Sequence, residues 1–88
     1  MTPAAGRPVK HSLTLRGHRT SVSLEREFWQ AFQHLARRRG LALNALAAEI
    51  DAARGDVGLA SAIRVAILTD LTARLSAAEA ASPDAPAV

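Results

Sequence analysis

No cysteine occurs among the 88 residues. Its absence excludes disulfides, thiolate zinc sites and thiol nucleophiles together, and it fits a reducing cytoplasm, where the protein is expected to reside. The three histidines, His11, His18 and His34, lack the spacing that three or four placed metal ligands require. There is no glycine-rich phosphate loop. Ser21 and Ser23 have no accompanying base and orienting acid. Glu25 and Glu27 stand two apart at a helix start, so they point in different directions and make a poor carboxylate pair. The expected protein is therefore not an enzyme and carries neither metal nor cofactor. No run of 18 uncharged apolar residues exists, so no membrane span is expected. The first residues also lack the apolar segment of a secretory signal.

Acidic residues are scarce in one half only. Residues 1–40 hold eight Lys/Arg against two Glu, a balance of +6, while residues 41–88 hold three Arg against six acids, a balance of −3. A basic end on a neutral-to-acidic body suits a polyanion, and charge alone fits a solvated basic surface equally well. So short a chain makes one domain with a small core, a size at which oligomerisation often adds stability.

Residues 1–9 show no periodicity and read as a flexible arm, and residues 79–88, with two prolines, as a disordered tail. The domain is expected over 10–78. Ser12-Leu13-Thr14-Leu15 alternates, and so does Arg19 to Leu24, which marks extended structure. The two segments are out of phase. Leu13 and Leu15 are odd-numbered, whereas Thr20, Val22 and Leu24 are even, and Gly17 is the candidate for a parity-changing turn or bulge. A first helix is expected over 25–39, with Phe28, Phe32, Leu35 and Ala36 on one stripe and Gly40 as its stop. A second is expected over 42–53 with Leu43, Leu46, Ala47 and Ile50 inward. A third is expected over 59–78, where Ile63, Ile67, Leu71 and Leu75 form one stripe and Val65, Leu68 and Leu75 widen it. So wide a stripe exceeds what one strand and two short helices can cover, which implies a second chain.

A lone strand also leaves an unpaired edge. Pairing it antiparallel with the same strand of a second copy satisfies that edge. Thr20, Val22 and Leu24 then face the helices, and Arg19, Ser21 and Ser23 face out. A two-stranded ribbon fits the DNA major groove, where Arg bonds guanine and Ser bonds several base edges. Arg37-Arg38-Arg39 reads as a solvated helix end, and Trp29 as packing.

His18-Arg19-Thr20-Ser21-Val22-Ser23-Leu24-Glu25, then Phe28-Trp29, then Arg39-Gly40-Leu41-Ala42-Leu43-Asn44-Ala45-Leu46, together resemble the ribbon-helix-helix proteins. Within them the chain is similar to a short bacterial subgroup with a Gly-His-Arg-Thr-Ser stretch. Leu59-Ala60-Ser61-Ala62-Ile63-Arg64 resembles that subgroup's last helix. The resemblance implies a mostly α fold with a short β-ribbon, an additional C-terminal helix and an intertwined homodimer. It also implies base contacts from Arg19, Ser21 and Ser23. Phosphate contacts are expected at His18 and at the backbone amides of Ala42, Leu43 and Asn44, and the dimer core is expected to hold Val22, Leu24, Phe28, Phe32, Leu46 and Ile50. Ala42 stands where the subgroup often has serine, so a capping hydroxyl is missing. The position of the turn favours 42–53 as the family's second helix; 59–78 is the alternative, which would move the phosphate contacts to about Leu59 to Ser61.

The implied function is sequence-specific, double-stranded DNA binding by a transcriptional regulator. An antitoxin whose third helix holds a protein partner, and a dimeric interaction module that binds no DNA, are the alternatives.

Overall fold

The parity conflict between the two alternating segments resolves as a β-hairpin. In the computed structural model, which describes residues 6–81, strands β1 (Val9–Leu15) and β2 (His18–Leu24) pair antiparallel. The connection is the two-residue turn Arg16-Gly17, with φ of 52° and 83°. Both central residues of a type I′ turn need positive φ. Glycine adopts it freely, whereas Arg16 bears a strain of roughly 1–2 kcal/mol. In the resulting register Leu15 lies opposite His18, Leu13 opposite Thr20 and His11 opposite Val22. Odd residues of β1 thus share a face with even residues of β2, and Leu13, Leu15, Val22 and Leu24 are all buried together.

One expectation is corrected here. The strand that precedes the first helix is not a lone strand: its partner on one edge is β1 of the same chain. A two-residue loop costs little closure entropy, so local pairing forms without a second copy. Pairing alternates along an antiparallel ladder, which leaves the backbone groups of Arg19, Ser21 and Ser23 on the free edge of β2. The far edge of β1 is met by Asn44, whose Oδ1 accepts a hydrogen bond from the Thr14 N–H at 3.1 Å.

Helix α1 (Arg26–Arg38) lays Phe32, Leu35 and Ala36 into the core. Its end is a complete Schellman cap: the Gly40 N–H donates to the Arg37 carbonyl at 3.0 Å and the Leu41 N–H to the Ala36 carbonyl at 2.9 Å. Gly40 takes φ 66° there, a conformation open to glycine at no steric cost. Helix α2 (Leu43–Ala53) contributes Leu46 and Ala47. Helix α3 (Leu59–Ala81) contributes Ile63 and Ile67.

These helices cover the apolar side of the hairpin, so a core closes within one chain. Phe32, Leu24, Leu46 and Ile63 are its largest fully buried side chains, each contributing about 1.5–3 kcal/mol by burial. Helix α3 packs against α1, α2 and β2, and part of its apolar surface stays uncovered. Val65, Leu68, Leu71 and Leu75 stay 50–61% exposed. Strand β1 begins at Val9, the last residue of the expected arm, and α3 runs three residues past its expected end at 78. Of the expected arm and tail, residues 1–5 and 82–88 lie outside the described residues.

Candidate nucleic-acid interface

The hairpin's second face carries the candidate site. Alternation puts Lys10, Ser12 and Thr14 of β1 beside Ser23, Ser21 and Arg19 of β2, paired in that order. All six are exposed, and no apolar side chain interrupts them. A cation marks each end, Lys10 near the start of β1 and Arg19 near the turn. Arg19, Ser21 and Ser23 were the residues expected on this face. Lys10, Ser12 and Thr14 escape a reading that takes β2 as the only strand. Their signal was the same alternation, with polar residues on the even positions of 12–15.

His18 falls on the opposite face, at the tip of the hairpin, and is exposed. Thr20 shares that face, but it lies beyond the cover of the core and is exposed as well.

Ala42, Leu43 and Asn44 open α2, the helix that directly follows α1. Ala42 is the N-cap, with ψ 148° and no side-chain cap. The first backbone bond of the helix runs from the Leu46 N–H to the Ala42 carbonyl at 3.0 Å. The amides before it have no earlier helical carbonyl to reach. Asn44 is committed through its carbonyl to Thr14, so it fixes the start of α2 against the ribbon. Arg37, with Gln33, Leu41 and Leu43, lines a shallow hollow beside the same helix start. The arginine run is thus divided by its partners. Arg38 pairs with Asp70 and Arg39 with Glu49, and Arg37 makes no ion pair among the described residues.

Residues 8–71 match the family model of the ribbon-helix-helix domain. The chain belongs to this family. No curated protein matches the chain, and no solved structure does. Ribbon-helix-helix domains are commonly DNA-binding transcription regulators or antitoxins and are typically not enzymes. The matched region takes in the whole hairpin, α1 and α2, and α3 as far as Leu71. No helix among the described residues is long and apolar enough to cross a membrane.

Two ion-pair groups join α3 to the start and the end of α1. Glu25, at the junction of β2 and α1, accepts from Arg64 Nε at 3.0 Å and Nη2 at 2.6 Å. The guanidinium carbon of Arg64 lies 5.5 Å from the centre of the Phe28 ring, within cation–π range. Hydrogen bonding from Arg64 holds the Glu25 carboxyl below its ordinary value. At Asp70 burial pushes upward, but hydrogen bonds from Arg38 and Arg74 outweigh it and the carboxyl is again lowered. Carboxyls lowered in the folded state stabilise it above their ordinary titration range. That contribution drains away as pH falls through the lowered folded values. Urea midpoints should therefore decline on acidification below the ordinary carboxylate range, and Arg64→Met should flatten the decline. An unchanged pH profile in Arg64→Met would assign the acid sensitivity elsewhere.

The remaining aromatic contacts are structural. His11 stacks flat on Trp29, ring centres 3.8 Å apart at 2°, and Trp29 meets Phe32 edge-on at 6.0 Å. Of the six residues expected in a dimer core, Val22, Leu24, Phe32 and Leu46 are buried in the chain's own core, and Phe28 and Ile50 are half-buried against it.

Proposed function

We propose that the protein is a sequence-specific DNA-binding transcription regulator of the short bacterial subgroup. It works in the cytoplasm as a homodimer that lays its antiparallel ribbon in the major groove. The observation that carries this reading is the ribbon's outer face: Lys10, Ser12, Thr14, Arg19, Ser21 and Ser23, with every apolar residue of the core on the other side. The groove admits a two-stranded ribbon, and Arg, Lys and Ser are suited to base edges there. Arg19, Ser21 and Ser23 read bases, joined by the three β1 residues. The amides of Ala42, Leu43 and Asn44 receive a backbone phosphate at the start of α2, with Arg37 beside them.

The dimer is supported by the free edge of β2 and by Val65, Leu68, Leu71 and Leu75, which are too large an exposed apolar stripe for one chain to leave in water. The thermal midpoint should rise with protein concentration, because a partner that binds only the folded state stabilises it by mass action. A constant midpoint and a monomer mass in sedimentation would overturn the dimer. The function itself is tested by selecting sites from a random double-stranded DNA pool with the purified full chain. Enrichment of one two-fold symmetric motif is expected. A pool that stays unenriched at low salt would leave the ribbon a dimerisation element only.

A further inference from the structure

The hairpin tip and the last turns of α2 border an open cleft that shares only Arg19 with the ribbon's outer face. Arg16, His18, Arg19 and Thr20 line it on one side, and Asp51 and Arg54 on the other. Its charges do not cancel. Asp51 is engaged by Arg54 Nε at 2.6 Å, and Arg54 also donates to the Val57 carbonyl at 2.7 Å. Arg16 and Arg19 make no ion pair among the described residues. Residues that carry two guanidinium groups without an ion pair, an imidazole and a hydroxyl therefore line one concavity whose single carboxylate is already paired. Forked N–H donors of this kind match tetrahedral oxyanions.

A second observation points to the same place. The first position of the turn, at φ 52°, is held by Arg16, although asparagine fits that conformation with less strain. Strain retained in the backbone is a reason to look for a function at that residue. Arg16 is also one of the residues that line the cleft.

We propose that this cleft binds a phosphate group. The phosphate is either a DNA phosphodiester beside the groove, which would rest on the DNA-binding reading above, or part of a free phosphorylated small molecule, which would not.

The test begins without DNA. The full-length chain, labelled with 15N, is titrated with inorganic phosphate against sodium chloride at matched ionic strength. Saturable amide shifts are expected around residues 15–20 and 48–54. Arg16→Asn removes the cation while giving the turn the Asn-Gly pair it prefers, so folding is retained. Phosphate affinity should drop by roughly tenfold or more, as expected for losing a charge-assisted hydrogen bond. Absence of saturable shifts in the natural chain, or equal affinity in Arg16→Asn, would overturn the site.

DNA then separates the two sources. If the ligand is a phosphodiester, Arg16→Asn lowers the slope of log K against log salt by about 0.9 per cleft, equally on selected and random DNA. If the slope holds while phosphate binding is lost, the ligand is a free phosphorylated molecule. Failure of DNA selection would leave the phosphate titration decisive on its own.

Discussion

Val22→Asp is expected to abolish folding, whereas Ser21→Ala should leave the fold intact. The two residues are neighbours on β2, yet they face opposite sides of the ribbon. Val22 is 5% exposed and joins Leu13, Leu15, Leu24 and Phe32 in the core. That core holds no buried polar or charged residue among those described, so a carboxylate at position 22 would meet no donor built to receive it. His11 lies directly opposite, but its ring is stacked on Trp29. Turning it toward a carboxylate would break that stack. An unpaired buried charge costs several kcal/mol, against a total stability of about 5–15 kcal/mol for a typical domain. A chain this short sits near the lower end of such a range. Far-UV circular dichroism and urea titration of the two variants provide the check. A folded Val22→Asp beside an unfolded Ser21→Ala would put the register off by one, because a single-residue slip exchanges the two faces of a strand.

What the residues disclosed before folding follows the range of each interaction. Periodicity is local, and it placed α1 and α2 to within one residue at each end. It also marked Leu13, Leu15, Val22 and Leu24 as two inward-facing sets of opposite parity. The pairing of those sets is not marked locally: Arg16-Gly17 is not the usual Asn-Gly signal, so the pattern shows two extended segments without joining them. Half of the ribbon face, Lys10, Ser12 and Thr14, went unseen for that reason. Long-range contacts left no local trace at all. Asn44 bonds to a backbone amide 30 residues away and Arg64 to a carboxylate 39 residues away, and neither partner can be chosen by spacing. The stacking of His11 on Trp29 depends on the same unseen strand. By contrast, the excess width of the α3 stripe was visible in sequence because it needs only the helical repeat, and Val65 and Leu68 are indeed left uncovered.

Arg19→Ala should weaken binding to a selected DNA site far more than binding to random DNA. By register Arg19 belongs to the ribbon's outer face, opposite Thr14, and it is the only arginine on that face. A bidentate arginine–guanine contact contributes about 1–3 kcal/mol of discrimination. Two-fold symmetry would place one copy in each half-site, so a dimer would lose roughly 2–6 kcal/mol of specific binding. Lys10, at the other end of the face, offers a single charge without the planar fork, so Lys10→Ala should cost less. Arg19 also borders the cleft at the hairpin tip, and its two possible duties leave different marks. Base reading makes the loss specific to the selected site and leaves the salt slope nearly unchanged. Phosphate holding makes the loss uniform across sequences and lowers the slope by about 0.9 per contact. Titrations on selected and random DNA at several salt concentrations, run beside Arg16→Asn, separate them. Equal losses on both DNAs would move Arg19 to the backbone and leave the serines and threonine of the ribbon, with Lys10, to read the bases. No loss on either DNA would take the ribbon out of the DNA interface.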